Sequence, residues 1–121
     1  MRYLLLIYDD EKAWTKMSEA ESGKVFQDYM TFTNDLKTSG KHQAGEALQP
    51  TTTATCVRKN GGKVVTTDGP YAETKEQLGG FYLVEAKDLD EACQIAAGIP
   101  STDYGGIIEV RPIVEFGDMK P

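Results

Sequence analysis

The sequence predicts one α+β domain, in which a mainly antiparallel sheet carries helices on one face. Three observations support this fold class. The chain has 121 residues, a length that suits a single domain over residues 1–121. No repeat, low-complexity tract or interdomain linker divides it. Its apolar runs and amphipathic stretches follow the order strand, helix, strands, strand, helix, strand, which best fits a ferredoxin-like split βαβ arrangement.

The first elements are a strand and a long helix. Residues 2–8 are almost continuously apolar, as expected of a strand that is covered on both faces or lies centrally in a sheet. A polar connector follows at residues 9–16, with room for a helical turn around Trp14. Ser18 and Glu21 form a capping box that opens the helix. Its apolar face consists of Val25, Tyr29, Phe32 and Leu36, widened by Phe26 and Met30.

The middle of the chain is predicted to be extended. Gly40 supplies a left-handed cap that ends the helix. Residues 42–48 are predicted as a short strand or extended segment. Residues 51–58 and 63–67 are rich in β-branched residues and are predicted as two paired strands. Between them lies Lys59-Asn60-Gly61-Gly62, a hairpin signal because Asn-Gly fits a type I′ turn.

The last third supplies a strand, a helix and a final strand. Residues 81–86 are a largely apolar strand, and Asp88 with Glu91 forms a second capping box. The buried side of that helix is predicted to hold Leu89, Ala92, Cys93, Ile95 and Ala96. Residues 107–114 alternate in polarity, as a half-buried strand does. Its two faces carry Ile108 and Val110 on one side, and Glu109 and Arg111 on the other.

Helices on one face leave the other face of the sheet uncovered. Residues 81–86 are apolar on both sides, which is hard to reconcile with a monomer. Because a large exposed apolar patch usually marks an interface, we expect a two-fold homodimer with the two sheets packed face to face.

Composition limits the partners and the location. The net charge is −6, whereas binding to phosphate backbones needs a positive surface, so direct nucleic-acid binding is not expected. No apolar run approaches the ~20 residues of a membrane span. Residues 4–7 are too short for the core of a secretory leader. We therefore expect a cytoplasmic protein without a membrane partner.

The sequence gives no reason to expect a metal or a cofactor. Cys56 and Cys93 lack metal-ligand spacing, and we expect them to pack as small apolar groups. His42 is the single histidine and has no evident paired base, so we assign it no role. There is no Gly-rich phosphate loop, nucleophile elbow or metal motif.

The most distinctive stretch is residues 68–80, in which a turn-forming Asp-Gly-Pro precedes a charged segment and a glycine pair. Asp68 is our first catalytic candidate, because a carboxyl on a loop beside a partly apolar cleft can exchange protons near neutral pH. The alternative is an aspartate that caps its own turn. Tyr71 is the second candidate, since its hydroxyl could donate to an oxyanion. Its alternative is a half-buried ring with the hydroxyl in water.

Charged residues nearby are candidates for ligand binding. Glu73 and Lys75 could hold a polar ligand, although such a charge run is more often a solvated face. Arg111 could bind a carboxylate as a bidentate fork, and a cross-strand ion pair with Glu109 or Glu85 is the simpler interpretation.

The end of the first strand is a further place where a ligand could enter. Tyr8, Asp9 and Trp14 lie at this strand-to-helix junction, and Trp14 could either stack on a ligand or cover apolar surface. Gly79 and Gly80 would allow a close backbone approach to a ligand, or alternatively form a β-bulge.

These motifs support a family resemblance over essentially the whole chain. Residues 68–82, with the sequence DGPYAETKEQLGGFY, closely resemble the signature of the DGPF-domain branch of the YCII-related proteins. Residues 3–8, 45–50 and 106–112 also resemble that branch. The resemblance implies a dimeric α+β barrel. It also implies relatives that are mostly small bacterial proteins without an established activity, some of them associated with sigma factors.

The resemblance does not supply a catalytic pair. Other YCII-related branches carry a His–Asp pair in a cleft and include an enzyme that removes chloride from a chlorinated aromatic ring. Their histidine lies near the start of the first helix, whereas His42 follows that helix, so the pair cannot be carried over. Tyr71 replaces the Phe of the family name.

Two functional hypotheses follow. The first is a proton-transfer or lyase-type enzyme whose cleft, near Asp68 and Tyr71, binds a small polar or aromatic metabolite. The second is a non-catalytic module that senses a ligand or contacts a regulatory protein, for which a sigma factor is one candidate.

Overall fold

The computed structural model describes residues 1–118, which form a four-stranded sheet, a two-stranded sheet and three α-helices. The strands are β1 (Arg2–Asp9), β2 (His42–Ala47), β3 (Thr55–Asn60), β4 (Lys63–Asp68), β5 (Gln77–Glu85) and β6 (Ile107–Pro112). The helices are α1 (Glu11–Thr15), α2 (Glu19–Thr38) and α3 (Leu89–Ala97). Short 3₁₀ turns occupy Thr51–Thr53, Pro100–Tyr104 and Phe116–Asp118.

The main sheet has the strand order β2-β5-β1-β6, and every neighbouring pair in it is antiparallel. This confirms the predicted α+β class and the ferredoxin-like arrangement. Strands β3 and β4 pair only with each other and form a hairpin inserted between β2 and β5. The predicted hairpin forms, but its turn lies one residue later than the predicted Asn60-Gly61 pair, because Asn60 is still paired with Lys63. Gly61 and Gly62 have φ +57° and +84°, the positive values that a type I′ turn requires at both positions.

One face of the main sheet forms the core. Tyr3, Leu5 and Ile7 of β1 are buried there. They pack in one cluster with Tyr82, Val84, Ala86, Leu36, Ala92, Ala96 and Ile99. Because side chains alternate along a strand, Leu4 and Leu6 point to the opposite face. In residues 1–118 no helix contributes a buried residue to that opposite face, which we call the open face.

Local sequence signals explain the ends of the helices. At the start of α2, the Ser18 side chain accepts from the Glu21 backbone N–H, and the Glu21 carboxylate accepts from the Ser18 N–H, so the capping box is confirmed. At α3 only half of the predicted box forms. Asp88 caps the Glu91 N–H, but the Glu91 carboxylate accepts from Lys87 instead of Asp88.

Several sequence predictions were wrong in detail. Phe26 and Met30 are 67% and 46% exposed, because the apolar stripe of α2 is wider than its contact with the sheet. Leu89 and Cys93 of α3 are likewise exposed. The predicted strand over 51–58 begins as a 3₁₀ turn directly after Pro50, and β3 starts at Thr55.

The strand β5 begins four residues earlier than predicted and carries the expected β-bulge. Ile7 pairs with Gly80, whereas Tyr8 pairs with Leu78, so Gly79 is the extra residue. A Cβ atom on Gly80 would lie 2.9 Å from the Glu46 carbonyl oxygen, which explains the glycine. No helix within residues 1–118 combines the length and apolar character that a membrane crossing requires.

Candidate functional site

A cavity of about 540 Å³ lies between α2 and the main sheet, and we call it the helix-side cavity. The last residue of β1, Asp9, lines one end of it. Its other polar lining comprises Ser22, Tyr29, Thr33, Lys37, His42 and Glu46, and its apolar lining includes Ile7, Val25, Phe26 and Tyr82. The cavity therefore combines carboxyl-bearing residues with aromatic walls, which is a common composition for a small-molecule site.

One hydroxyl group binds the Asp9 carboxylate directly, and a second supports the first. The Ser101 hydroxyl donates to Asp9 Oδ2 at 3.2 Å, and Ser101 itself is fully buried. The Tyr29 hydroxyl hydrogen-bonds the Ser101 Oγ in turn. A continuous hydrogen-bond chain therefore runs from the middle of α2 to the end of β1.

The backbone around Ser101 explains this arrangement. Ser101 lies in the 3₁₀ turn Pro100–Tyr104, which Gly105 ends at φ +87°. The next residue, Gly106, donates its N–H to the Ser101 carbonyl at 2.8 Å. A Cβ atom on Gly106 would lie 2.4 Å from Asp9 Oδ1 and 2.8 Å from Ser101 Cβ. A glycine is therefore required at position 106, because any side chain there would overlap the Asp9 carboxylate.

Burial changes the proton affinity of this group. Burial raises the pKa of the Asp9 carboxyl above its ordinary value, and hydrogen bonding from Ser101 and Trp14 opposes that rise only in part. Burial likewise raises the pKa of the Tyr29 hydroxyl to about 12, so Tyr29 stays protonated and can donate. Asp9 is consequently the carboxyl of this site that can exchange a proton closer to neutral pH.

Aromatic packing shapes the rest of the cavity. The rings of Trp14 and Tyr104 pack with centroids 5.8 Å apart at the Asp9 end. Further along, the Tyr82 ring meets Phe32 edge-to-face, and its hydroxyl hydrogen-bonds Thr33 Oγ1 at 2.7 Å. A Cβ atom on Gly45 would lie 2.8 Å from the Tyr82 ring, so this glycine lets the ring pack directly against the backbone of β2.

The predicted catalytic residues lie elsewhere. Asp68 is the last residue of β4 and is exposed, and the Tyr71 side chain is 87% exposed. Tyr71 and Tyr8 line a second pocket of about 610 Å³, which we call the loop-side pocket. Its other lining includes Leu48, Pro50, Pro70 and Leu78. The structure brings these two tyrosines around one pocket, whereas Asp68 lines neither the pocket nor the cavity.

The remaining predicted ligand-binding residues are dispersed. Glu73 and Lys75 are exposed on the loop before β5 and line neither space. Arg111 is exposed on β6, and Glu109 of the same strand accepts a hydrogen bond of 3.3 Å from the Tyr8 hydroxyl. Among residues 1–118, no group of three or more histidine, cysteine, aspartate or glutamate side chains is arranged to hold a metal ion.

Sequence reasoning placed Asp9 at a ligand entrance but gave it no catalytic role, and it missed Ser101 and Tyr29 as partners. Tyr29 fitted the apolar stripe of α2, which concealed its hydroxyl function. Ser101 lies 92 residues from Asp9, in a small polar loop without a motif, so no local signal joined the two.

Comparison with known proteins places the whole chain in one group. The YCII-related domain matches residues 1–117. The uncharacterized protein R00369 of Rhizobium meliloti (strain 1021) is 39% identical over 120 residues, which cover 96% of this chain and 94% of that protein. The predicted resemblance to the YCII-related proteins is confirmed, while its DGPF branch stays a prediction. The chain therefore belongs to the YCII-related domain family.

Proposed function

We propose that this protein is an acid–base enzyme, of the proton-transfer or lyase type, that acts on a small aromatic or polar metabolite in the helix-side cavity. The observation that carries the proposal is the Asp9 carboxyl. It lines an aromatic cavity, burial raises its pKa, and the chain of Ser101 and Tyr29 holds it in place. The proposal assigns to Asp9 the role for which Asp68 was the strongest candidate in the sequence.

The chemistry needs only groups of this chain. Ionised Asp9 accepts a proton from a substrate C–H bond, and the bonding electron pair stays on the carbon. In an elimination that pair forms a double bond, and the leaving group departs with its own electron pair. In an isomerisation Asp9 returns the proton to another carbon. Ser101 and Tyr29 act as positioning residues, because Ser101 donates to Asp9 and Tyr29 in turn hydrogen-bonds Ser101.

We propose in addition that two copies pair through their open faces. The support is the half-buried apolar set on that face, which comprises Leu4, Leu6, Phe81 and Leu83. Leu6→Glu would place a charge inside such an interface and should give particles with the 13.3 kDa mass of one chain in light scattering. The control is Val64→Glu on the exposed hairpin, which should leave the mass of the wild type unchanged. Wild-type protein that is monomeric at micromolar concentration would contradict the proposed dimer.

The catalytic proposal is tested with two isosteric variants. Purified wild type, Asp9→Asn and Asp68→Asn are incubated with a small-molecule extract, and mass spectrometry identifies compounds that only active protein converts. For such a compound, Asp9→Asn should lower kcat by about 100-fold or more, the usual contribution of a general acid or base. Asp68→Asn should retain wild-type kcat. The reverse pattern would restore Asp68 as the catalytic candidate and exclude the role proposed for Asp9.

A ligand that co-purifies without being converted would instead favour a non-catalytic sensing module, the alternative that the sequence left open.

A further inference from the structure

The helix-side cavity has two chemically different ends. Asp9, Tyr29 and Ser101 form the acidic end described above. Lys37 and His42 line the other end. Tyr29 and Lys37 are eight residues apart on α2, which corresponds to roughly 12 Å along a helix. On the sheet side, Ile7 pairs with Gly80 and His42 pairs with Val84, four residues further along β5 and thus roughly 13 Å away. The backbone positions at the two ends are therefore roughly 12–13 Å apart.

The ammonium group of Lys37, at this second end, forms no ion pair within residues 1–118. Lys24 pairs with Asp28 at 2.9 Å, and Lys41 pairs with Glu91 at 3.4 Å. Lys37 lies in the last turn of α2, where a positive charge also suits the helix dipole. Its ammonium group is consequently available to a ligand.

A second nitrogen-bearing side chain, His42, lines the same cavity. His42 is half-buried, with its ring edge-to-face against Tyr82 at a centroid distance of 6.1 Å. Glu46 on the same strand also lines the cavity. It pairs with Phe81, and this register directs the Glu46 carboxylate toward the open face, away from Lys37 and His42.

Between the two ends the cavity is flat and aromatic. The Tyr82 ring packs directly against the Gly45 backbone, since a Cβ atom there would lie 2.8 Å from the ring. Phe26 of α2 lines the cavity although its side chain is 67% exposed. Tyr82 is 7% exposed, so an aromatic ligand would contact only the part of its ring that lines the cavity, with Phe26 at the rim, in the offset or edge-to-face geometry that aromatic pairs prefer.

From this arrangement we propose that the helix-side cavity selects aromatic acids. Lys37 and His42 bind the anionic oxygen group of the ligand, its ring packs against Tyr82, and its opposite end lies at Asp9. The inference rests on the proposed function for the location of the ligand, and it adds the substrate class. Neutral aromatic molecules of the same size should enter the cavity but gain nothing from Lys37 and His42.

The test uses two fluorescent probes that share the anilinonaphthalene skeleton and differ by one sulfonate group. One is 8-anilino-1-naphthalenesulfonate, an aromatic sulfonate, and the other is N-phenyl-1-naphthylamine, its neutral counterpart. In the variant Lys37→Ala/His42→Ala, the Kd of the sulfonate should rise about tenfold, because a charge-assisted contact is lost. The Kd of the neutral probe should stay within about twofold of wild type, since it makes no such contact. Equal changes for both probes, or no change for either, would overturn the inference.

A matched control separates this effect from general charge. Lys41→Ala removes a cation four residues from Lys37 that is paired with Glu91, and it should leave the Kd of both probes unchanged. The single variant Lys37→Ala provides a second measurement if the double variant unfolds in circular dichroism. An effect of Lys41→Ala as large as that of Lys37→Ala would reject a specific anion site.

The probe's position is checked by NMR on the wild type. Amide shifts caused by the sulfonate should centre on Thr33, Gly45 and Gly80, which line the cavity. Shifts confined to the open face or the loop-side pocket would overturn the inference. The two proposals fail separately. If the probes behave as expected and Asp9→Asn retains full turnover, the anion site stands and the catalytic role of Asp9 falls.

Discussion

Asp9 and Asp68 are each the last residue of a strand, β1 and β4 respectively, yet the fold gives them opposite surroundings. Asp9 ends a central strand, is half-buried, and accepts a hydrogen bond from a fully buried serine. Asp68 ends one strand of a hairpin on which the side chains of β4 are all exposed. The conspicuous sequence motif surrounds Asp68, whereas the conditions for acid–base chemistry surround Asp9.

The difference shows what a motif can indicate. Residues 68–80 specify a turn, a bulge and the return of the chain to the main sheet. These features are set by backbone conformation and not by the chemistry of the side chains. Proton affinity depends on burial and on the groups within hydrogen-bonding distance. Those groups come from distant parts of the chain, so a short stretch of sequence cannot carry the information.

The largest expected contrast lies between the two strands themselves. Leu5→Ala in β1 removes a side chain with no exposed surface and should lower the free energy of unfolding by about 2–5 kcal/mol. Val65→Ala in β4 truncates a side chain that is 42% exposed and should cost less than about 1 kcal/mol. Urea denaturation measures both values. Similar losses for the two variants would show that the hairpin is covered in solution.

A second contrast compares the glycines beside the two aspartates. Gly106→Ala places a methyl group against Asp9 Oδ1 and should destabilise the fold by about 1–3 kcal/mol. Gly69→Ala meets no neighbouring atom, and its cost of about 1 kcal/mol comes from a backbone φ of +107°. Only Gly106→Ala should also shift the fluorescence of Trp14, the single tryptophan, because it displaces the adjacent carboxylate. Unchanged emission in Gly106→Ala would contradict the packing described here.

The smallest expected effect is a pH dependence of stability. Because burial raises the folded-state pKa of Asp9, the folded protein holds this proton more tightly than the unfolded chain does. The contribution of Asp9 protonation to the free energy of unfolding is therefore complete below about pH 4, the ordinary pKa of an aspartate. It is lost as pH rises through the folded-state pKa. Asp9→Asn should consequently gain stability relative to wild type between about pH 4 and pH 7 in urea titrations.

Glu21 supplies a control of opposite sign for that titration. The backbone hydrogen bond at Ser18 lowers the pKa of the Glu21 carboxyl, so its contribution is present at neutral pH and is lost as pH falls through the lowered pKa. The loss of unfolding free energy in Glu21→Gln, relative to wild type, should therefore be greatest at neutral pH and should shrink as pH falls. The same slope for both variants would mean that the pH dependence arises elsewhere.

The sequence was informative about the fold because its signals are local. Capping at Ser18, the alternation of Ile108 and Val110, and the glycine turn at residues 61–62 each depend on neighbours within a few positions. The exposure of Phe26 was not predictable from periodicity, because that pattern does not say how wide the underlying sheet is. The hydrogen bond between Ser101 and Asp9 was not predictable either, because the two residues are 92 positions apart and meet only in the folded protein.

The hydrogen bond between residues 9 and 101 has a consequence for biosynthesis. During translation Asp9 leaves the ribosome long before Ser101 has been polymerised, so the nascent chain carries a hydrated, ordinary carboxylate. The buried, hydrogen-bonded environment of Asp9 forms only when the Ser101 turn docks. Truncated products that end before this point will therefore lack that environment even where their first strands have paired.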